Sequence, residues 1–214
     1  MGFQLNTADY VEFLNRAYAK IHADGDYITA LDAATGDGDH WTNLNMGFEK
    51  LVAMSDELKS LSLFDALKKI SMTMMSVIGG SGGVLYGSAY MEAAKTVKGL
   101  DVLQNQDVAN MLEAMLKGIM ARGKAEPGMK TMIDALHPAV ECYKECIARG
   151  ESEAQTAALV KKAAADGAQS TKAMEAIRGR AYYQADRGVG HLDPGAVTMS
   201  YQIESLMDLV AEKL

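Results

Sequence analysis

Residues 35–40 read Thr-Gly-Asp-Gly-Asp-His, and a third acid, Asp32, stands just ahead of them. Like charges crowded around a glycine-flexible turn repel one another, so such a segment calls for a cation among its carboxylates. Three carboxylates form a hard-oxygen set, the donor type that suits Mg²⁺ or Ca²⁺ far better than zinc or copper. Counted from Asp37 as a calcium-binding loop the pattern fails, because Trp41 and Thr42 fall where an acid or amide and a glycine are required. Mg²⁺ takes one or two protein carboxylates and completes its shell with water and phosphate oxygens. Asp32, Asp37 and Asp39 are thus candidate ligands of one or two such ions. A helix-forming run begins at His40, and the free N–H groups and dipole of a helix start attract phosphate. Metal-binding acids beside an anion-seeking helix end describe a metal–polyphosphate site. The plainer alternative is a solvated acidic turn that caps the helix over 40–52.

A second stretch, Gly79-Gly80-Ser81-Gly82-Gly83, holds more glycine than a cap needs. Such a run lets backbone N–H groups approach a bulky anion closely. Neither a Walker A loop nor a Rossmann glycine turn is present, so a nucleotide would have to be held by helices.

The elements that position these residues read as helical. Alanine and leucine outnumber valine and isoleucine, and the chain has only three prolines in 214 residues. Val11, Leu14, Ala17 or Tyr18, and Ile21 recur at helical spacing, Ser62 offers an N-cap, and Gly123, Gly150 and Gly167 end apolar-periodic runs. About eight amphipathic helices and no alternating strand are expected, with no linker dividing residues 1–214. One all-α domain is the simplest organisation. A net charge of −7 argues against nucleic acid or an anionic membrane as partner. No apolar run is long enough for a membrane span, and residues 1–10 lack a basic-then-apolar leader pattern. The two cysteines, Cys142 and Cys146, lie one helical turn apart and read as reduced thiols, consistent with a cytoplasmic address. His22 and His137 read as structural or surface residues, His191 as an orienting residue, and the fifteen methionines chiefly as core filler.

Taken together, Gly-Asp-Gly-Asp-His with its upstream Asp32, the Gly79–Gly83 run followed by Leu85-Tyr86-Gly87, the segment from Arg122 to Met132, and Gly179-Arg180-Ala181 followed by Val189-Gly190-His191 and Asp193-Pro194-Gly195 resemble one family. It is the L subunit of bacterial dihydroxyacetone kinase, whose motifs recur here in order across nearly the whole chain. The resemblance implies an antiparallel barrel of about eight α-helices with the nucleotide at one end. It implies that Asp32, Asp37 and Asp39 hold two Mg²⁺ bridging the phosphates of ADP or ATP. His40, Thr42, Asn43, Gly80, Ser81 and Gly82 would surround those phosphates, and Gly123 and Met132 the adenine. Arg180 would contact phosphate or ribose, and Asp193, Pro194 and Gly195 would close over the nucleotide. No residue is implied as a covalent catalyst; His40 and Arg180 position phosphate.

The resemblance further implies partners: a K subunit that holds dihydroxyacetone, and an M-type phosphohistidine protein that recharges the bound ADP. Two other functions fit a chain of this family, a nucleotide-sensing module that regulates a transcription factor and an ATP-dependent kinase domain for a different keto or acyl substrate. Trp41, Gly82 and Met129 depart from the family pattern, and the Trp41 indole is expected either beside the phosphates or in ordinary packing.

Overall fold

The structure is a computed structural model that describes residues 2–214. Among them are ten α-helices: α1 (Thr7–Ala23), α2 (Gly25–Thr35), α3 (His40–Ala53), α4 (Ser55–Lys59), α5 (Leu63–Val77), α6 (Gly80–Thr96), α7 (Asn105–Gly123), α8 (Ile133–Arg149), α9 (Glu153–Ser170) and α10 (Pro194–Glu212). Two 3₁₀ turns, Thr171–Ala173 and Arg180–Tyr183, interrupt the passage from α9 to α10. The only extended pairing among the described residues is an isolated bridge between Leu5 and Leu103.

The expected eight helices are the long ones; α2 and the five-residue α4 are additions. The eight form a closed ring. α1 packs on α3, α3 on α5, then α5 on α6, α6 on α7, α7 on α8, α8 on α9, α9 on α10, and α10 returns to α1. Short connections make ring neighbours antiparallel. Each helix turns an apolar stripe inward, as in α1, where Tyr10, Val11, Leu14, Ala17 and Ile21 are buried together. The tight contact of α8 with α9 depends on small residues. A Cβ on Gly167 would lie 2.2 Å from the Asp134 carbonyl oxygen, so glycine sets how closely the two backbones approach.

Alternation of direction brings the N-termini of α3, α6, α8 and α10 to one rim and those of α1, α5, α7 and α9 to the other. The two rims are finished differently. At the far rim side chains take up free helix N–H groups at α1, α5 and α9, and the N-cap N–H at α7. Asn6 caps α1 and accepts from the Asp9 N–H at 3.0 Å, and Ser62 caps α5, accepting from Asp65 at 3.1 Å. Asp107 closes α7 by accepting the Gln104 N–H at 2.9 Å, and Ser152 caps α9, accepting from Gln155 at 3.2 Å. At the near rim neither Asp39 before α3 nor Gly79 before α6 makes a side-chain cap bond. Apart from the His40 N–H, which Asp32 takes, those two helix starts keep unpaired donors, the condition for receiving an anion.

Candidate functional site

A cleft of about 580 Å³ opens at the near rim and adjoins a smaller one of about 240 Å³. The two share Asp39, His40, Ser81, Gly82 and Arg180. Asp32, on the buried face of α2, and Asp37 and Asp39, in the following turn, each direct a carboxylate oxygen to one point. The three atoms lie within 4.8 Å of one another. Asp32 is fixed by accepting the His40 N–H at 2.9 Å, and Gly36 leaves α2 with its N–H on the Asp32 carbonyl. Asp37 and Asp39 are open to solvent. The donor set therefore fits a hard divalent cation: one anchored carboxylate, two adaptable ones, and an open side for other oxygens.

One side chain answers the negative charge directly, and a second adds a polar contact beside it. The Arg180 guanidinium pairs with Asp37 at 2.7 Å, reaching across from the turn before α10. His40 Nε2 lies 3.0 Å from Thr198 Oγ1 on α10. Thr198 donates its proton to the Pro194 carbonyl at 3.1 Å, so it accepts from the imidazole Nε2–H and leaves Nδ1 as the acceptor nitrogen. Burial lowers the His40 pKa and outweighs the attraction of Asp32 and Asp39, keeping the ring neutral near pH 7.

At α6 the glycine run has two separate uses. A Cβ on Gly79 would sit 2.7 Å from Asn43 Oδ1, so its absence lets Asn43 of α3 reach across to the start of α6. Gly80 opens α6 with φ +63°, a left-handed conformation that a side chain would strain. Ser81 and Gly82 then line the cleft in the open first turn.

Of the residues expected from the sequence, the structure brings Asp32, Asp37, Asp39, His40, Asn43, Gly80, Ser81, Gly82, Gly123, Met132, Arg180, Asp193, Pro194 and Gly195 to the walls of these two clefts. Thr42 is the exception. It is exposed on the side of α3 turned away from the cleft walls, because one residue is about 100° of helix rotation from Trp41 and from Asn43. Trp41 is also outside. Its Nε1 donates to the Ile21 carbonyl at 3.0 Å and its ring lies against Gly25, where a Cβ would come within 2.7 Å. The indole is packing between α1, α2 and α3, and does not narrow the cleft. His191 is exposed and contributes its backbone, which accepts from Lys130. Cys142 and Cys146 are free thiols on α8, and the aspartate trio is the only metal-competent acid–His–Cys cluster among the described residues.

Residue-type reasoning passed over Lys130, which lines the cleft, and Asp134, which shapes the turn beside it. Lys130 is 2 % exposed and places its ammonium on the carbonyls of Thr171 and His191. Asp134 receives the N–H groups of Thr131, at 2.7 Å, and Gly128, shaping the turn before α8. Asp193 caps α10, accepting from Ala196 at 2.7 Å. Burial pushes the Asp193 carboxyl up to about 7, opposed by the Ala196 N–H and by Lys130. The one available signal for Lys130 was its place between Gly128 and Asp134, in a segment already carrying family motifs.

Ten packed helices with an acid-lined cleft at the ring's end are an arrangement that known proteins share. The DAK2 domain family matches residues 34–208, and the chain belongs to that family. The chain is 33% identical over 202 residues to the ADP-binding subunit DhaL of the PEP-dependent dihydroxyacetone kinase of Escherichia coli (strain K12), covering 94% of this chain and 96% of that one. It is 35% identical to the DhaL subunit of the PEP-dependent dihydroxyacetone kinase 2 of Listeria innocua, covering 98% and 96%. Among solved structures, the dihydroxyacetone kinase from C. freundii in complex with AMP-PNP and Mg²⁺ superposes with a TM-score of 0.70 at 25% identity, over 94% of this chain and 33% of that one. The expected all-α fold and the expected family are both borne out.

Proposed function

We propose that residues 1–214 form the nucleotide-binding subunit of a dihydroxyacetone kinase, holding ADP with two Mg²⁺ at the near rim. In this reading an M-type phosphohistidine protein recharges ADP, and the γ-phosphoryl then passes to a hydroxyl of dihydroxyacetone or a related ketose on a K subunit. The full-length kinship with DhaL subunits supports it. A cytoplasmic address suits a subunit that must meet a phosphohistidine protein. Among the described residues no helix is long and apolar enough to cross a membrane.

The observation that carries the reading is the contrast between the rims. At the near rim three long helices, α3, α6 and α8, begin without a side-chain cap bond, and among the described residues only there do three carboxylate oxygens converge within 4.8 Å. Donors on one side and metal-binding acids on the other suit a diphosphate held with divalent cations, because each alone would repel part of that ligand. Mg²⁺ on Asp32, Asp37 and Asp39 would neutralise phosphate oxygens and hold them in line for transfer. The chain's own residues do the rest by positioning. The first-turn N–H groups of α3 and α6 take phosphate oxygens, and neutral His40 offers a polar contact without adding charge. Arg180, once Asp37 turns to a metal, is freed to give a forked donor to phosphate. Gly123 and Met132 line the apolar side, where a base would stack.

Intact-mass analysis and metal determination of the purified chain test the proposal. Co-purified ADP with Mg²⁺, or uptake of both on incubation, is expected. Protein that refuses ADP in the presence of Mg²⁺ refutes it. Triose phosphorylation with added K and M subunits tests transfer, and binding without turnover points to a sensing role.

A further inference from the structure

We infer that Lys130 is a positioning residue, a clasp that joins the two ends of the segment from Thr171 to His191 and holds it as a lid over the cleft. The inference rests on the nucleotide reading of that cleft. The ammonium donates to the Thr171 carbonyl, where the segment leaves α9, and to the His191 carbonyl, just before α10 begins. One buried cation thus draws together the feet of a loop that contains Arg180. The Asp193 N–H, donating to Thr171 Oγ1 at 3.0 Å, ties the same two feet a second time.

The rest of the lid is sewn to the α7–α8 connection. Arg178 donates through Nε and Nη2 to the Lys124 carbonyl at 3.0 and 2.8 Å, and Ile177 N–H reaches the Met129 carbonyl at 3.3 Å. Among the described residues, three other than glycine have positive φ, Lys124 (48°), Lys130 (59°) and Arg187 (50°). Two sit on these seams, the Lys124 carbonyl taking Arg178 and Lys130 forming the clasp, and the third lies inside the lid, where the Arg187 carbonyl takes the Ala176 N–H at 2.9 Å. Left-handed backbone is uncommon outside glycine and persists only where its surroundings enforce it. Its confinement to the lid and its seams marks that region as held in shape by its surroundings. At Lys130 the left-handed turn sends a long cationic side chain inward, where it is 2 % exposed with no carboxylate paired to it among the described residues. A buried lysine without a direct ion pair is costly, and the two charge-assisted bonds to the lid's feet offset that cost.

Loss of the clasp should therefore free Arg180 and speed nucleotide escape while leaving the barrel and the aspartate trio intact. Hydrogen bonds of an ionised donor are strong enough for their loss to change an opening equilibrium by about tenfold to a hundredfold. The test is Lys130→Met in the full chain, with two readouts. Release of ADP from the Mg²⁺-loaded protein should accelerate at least about tenfold, with rescue to within about threefold in Lys130→Arg. Amide hydrogen exchange in the nucleotide-free protein should rise across 171–193 and stay unchanged in α1, α3 and α5. If Lys130→Met does not fold, Lys130→Gln, which keeps a donor for one carbonyl only, carries the same measurements. Unchanged exchange across 171–193 overturns the clasp. Faster exchange with unaltered ADP release overturns its role in nucleotide retention. Failure of the unaltered protein to bind ADP would strike the nucleotide reading instead, and the exchange readout would still decide the clasp.

Discussion

Replacing Asp39 by asparagine separates the two consequences of crowding three acids. With no metal present, Asp39 repels both Asp32 and Asp37, whose carboxylate oxygens lie within 4.8 Å. At that distance two unit charges repel by about 0.9 kcal/mol in a water-like dielectric, the appropriate limit because Asp37 and Asp39 are open to solvent. Relief of two such pairs gives roughly 2 kcal/mol. Against it stands the loss of a negative charge at the start of α3, worth about 0.5 kcal/mol. No cap is lost, since the Asp39 side chain makes no bond to the helix N-terminus. Asp37 is the poorer target, because its charge is already answered by Arg180 at 2.7 Å. The Asp39→Asn protein should thus be about 1.5 kcal/mol more stable than the natural one in a chelator, a rise in Tm of about 3–6 °C for a chain of this size.

With Mg²⁺ and ADP the order should invert. A neutral amide is a weaker ligand for a divalent ion, and a hundredfold loss of affinity removes about 2.7 kcal/mol of ligand-linked stabilisation at saturating ligand. Thermal unfolding of both proteins in chelator and in Mg²⁺ with ADP gives four midpoints. The reasoning is refuted if Asp39→Asn is the less stable protein in chelator, or if it gains as much from Mg²⁺ and ADP as the natural protein does.

Three further outcomes follow from named contacts. The Asp193 carboxyl is raised to about 7 by burial, so in the nucleotide-free protein its ionised form opposes folding. That penalty is absent below the unfolded-state pKa, grows as pH rises and is complete above about 7. Asp193→Asn, which can still cap α10, should therefore gain on the natural protein by about 2 kcal/mol between pH 5 and pH 8 in urea titrations, and a constant difference would contradict it. Gly167→Ala drives a methyl to within 2.2 Å of the Asp134 carbonyl oxygen and should cost about 2–3 kcal/mol as α9 moves off α8, measured by urea midpoint. Trp41→Leu should lower stability by about 1–2 kcal/mol and leave ADP affinity within twofold by calorimetry, because the indole is bonded to Ile21 and lies outside the cleft.

The ring was legible where periodicity and caps agree. Val11, Leu14 and Ile21 lie on the buried face of α1, and Ser62 caps α5 as its position promised. α2 was not legible. It opens with Gly25, carries β-branched Ile28 and Thr29, and buries Asp32 on the same face as Ile28, so a charged residue interrupts the apolar stripe that would have marked it. That interruption is functional: burial on α2 is what fixes Asp32 while Asp37 and Asp39 stay adaptable. The place of Trp41 stayed open between cleft and packing for a related reason, since neighbours in sequence on a helix start face different directions, and His40 alone of the pair turns to the cleft.

The lid was invisible for a different reason, and the difference explains how the site works. Acids, glycines and helix starts declare themselves through local spacing. The lid instead depends on bonds between residues 41, 54 and 61 positions apart, from Lys130 to Thr171, Arg178 to Lys124 and Lys130 to His191. Its larger apolar side chains, Ile177, Tyr182, Tyr183 and Val189, are exposed, so little apolar burial holds it down. A segment attached by a few polar seams opens at far lower cost than a packed helix does. The three acids proposed to bind metal sit on and beside α2 in the barrel, whereas Arg180 sits on the proposed lid. Opening the lid therefore withdraws the cationic donor while leaving the carboxylates in place, so that nucleotide exchange would not require the aspartates' backbone to move.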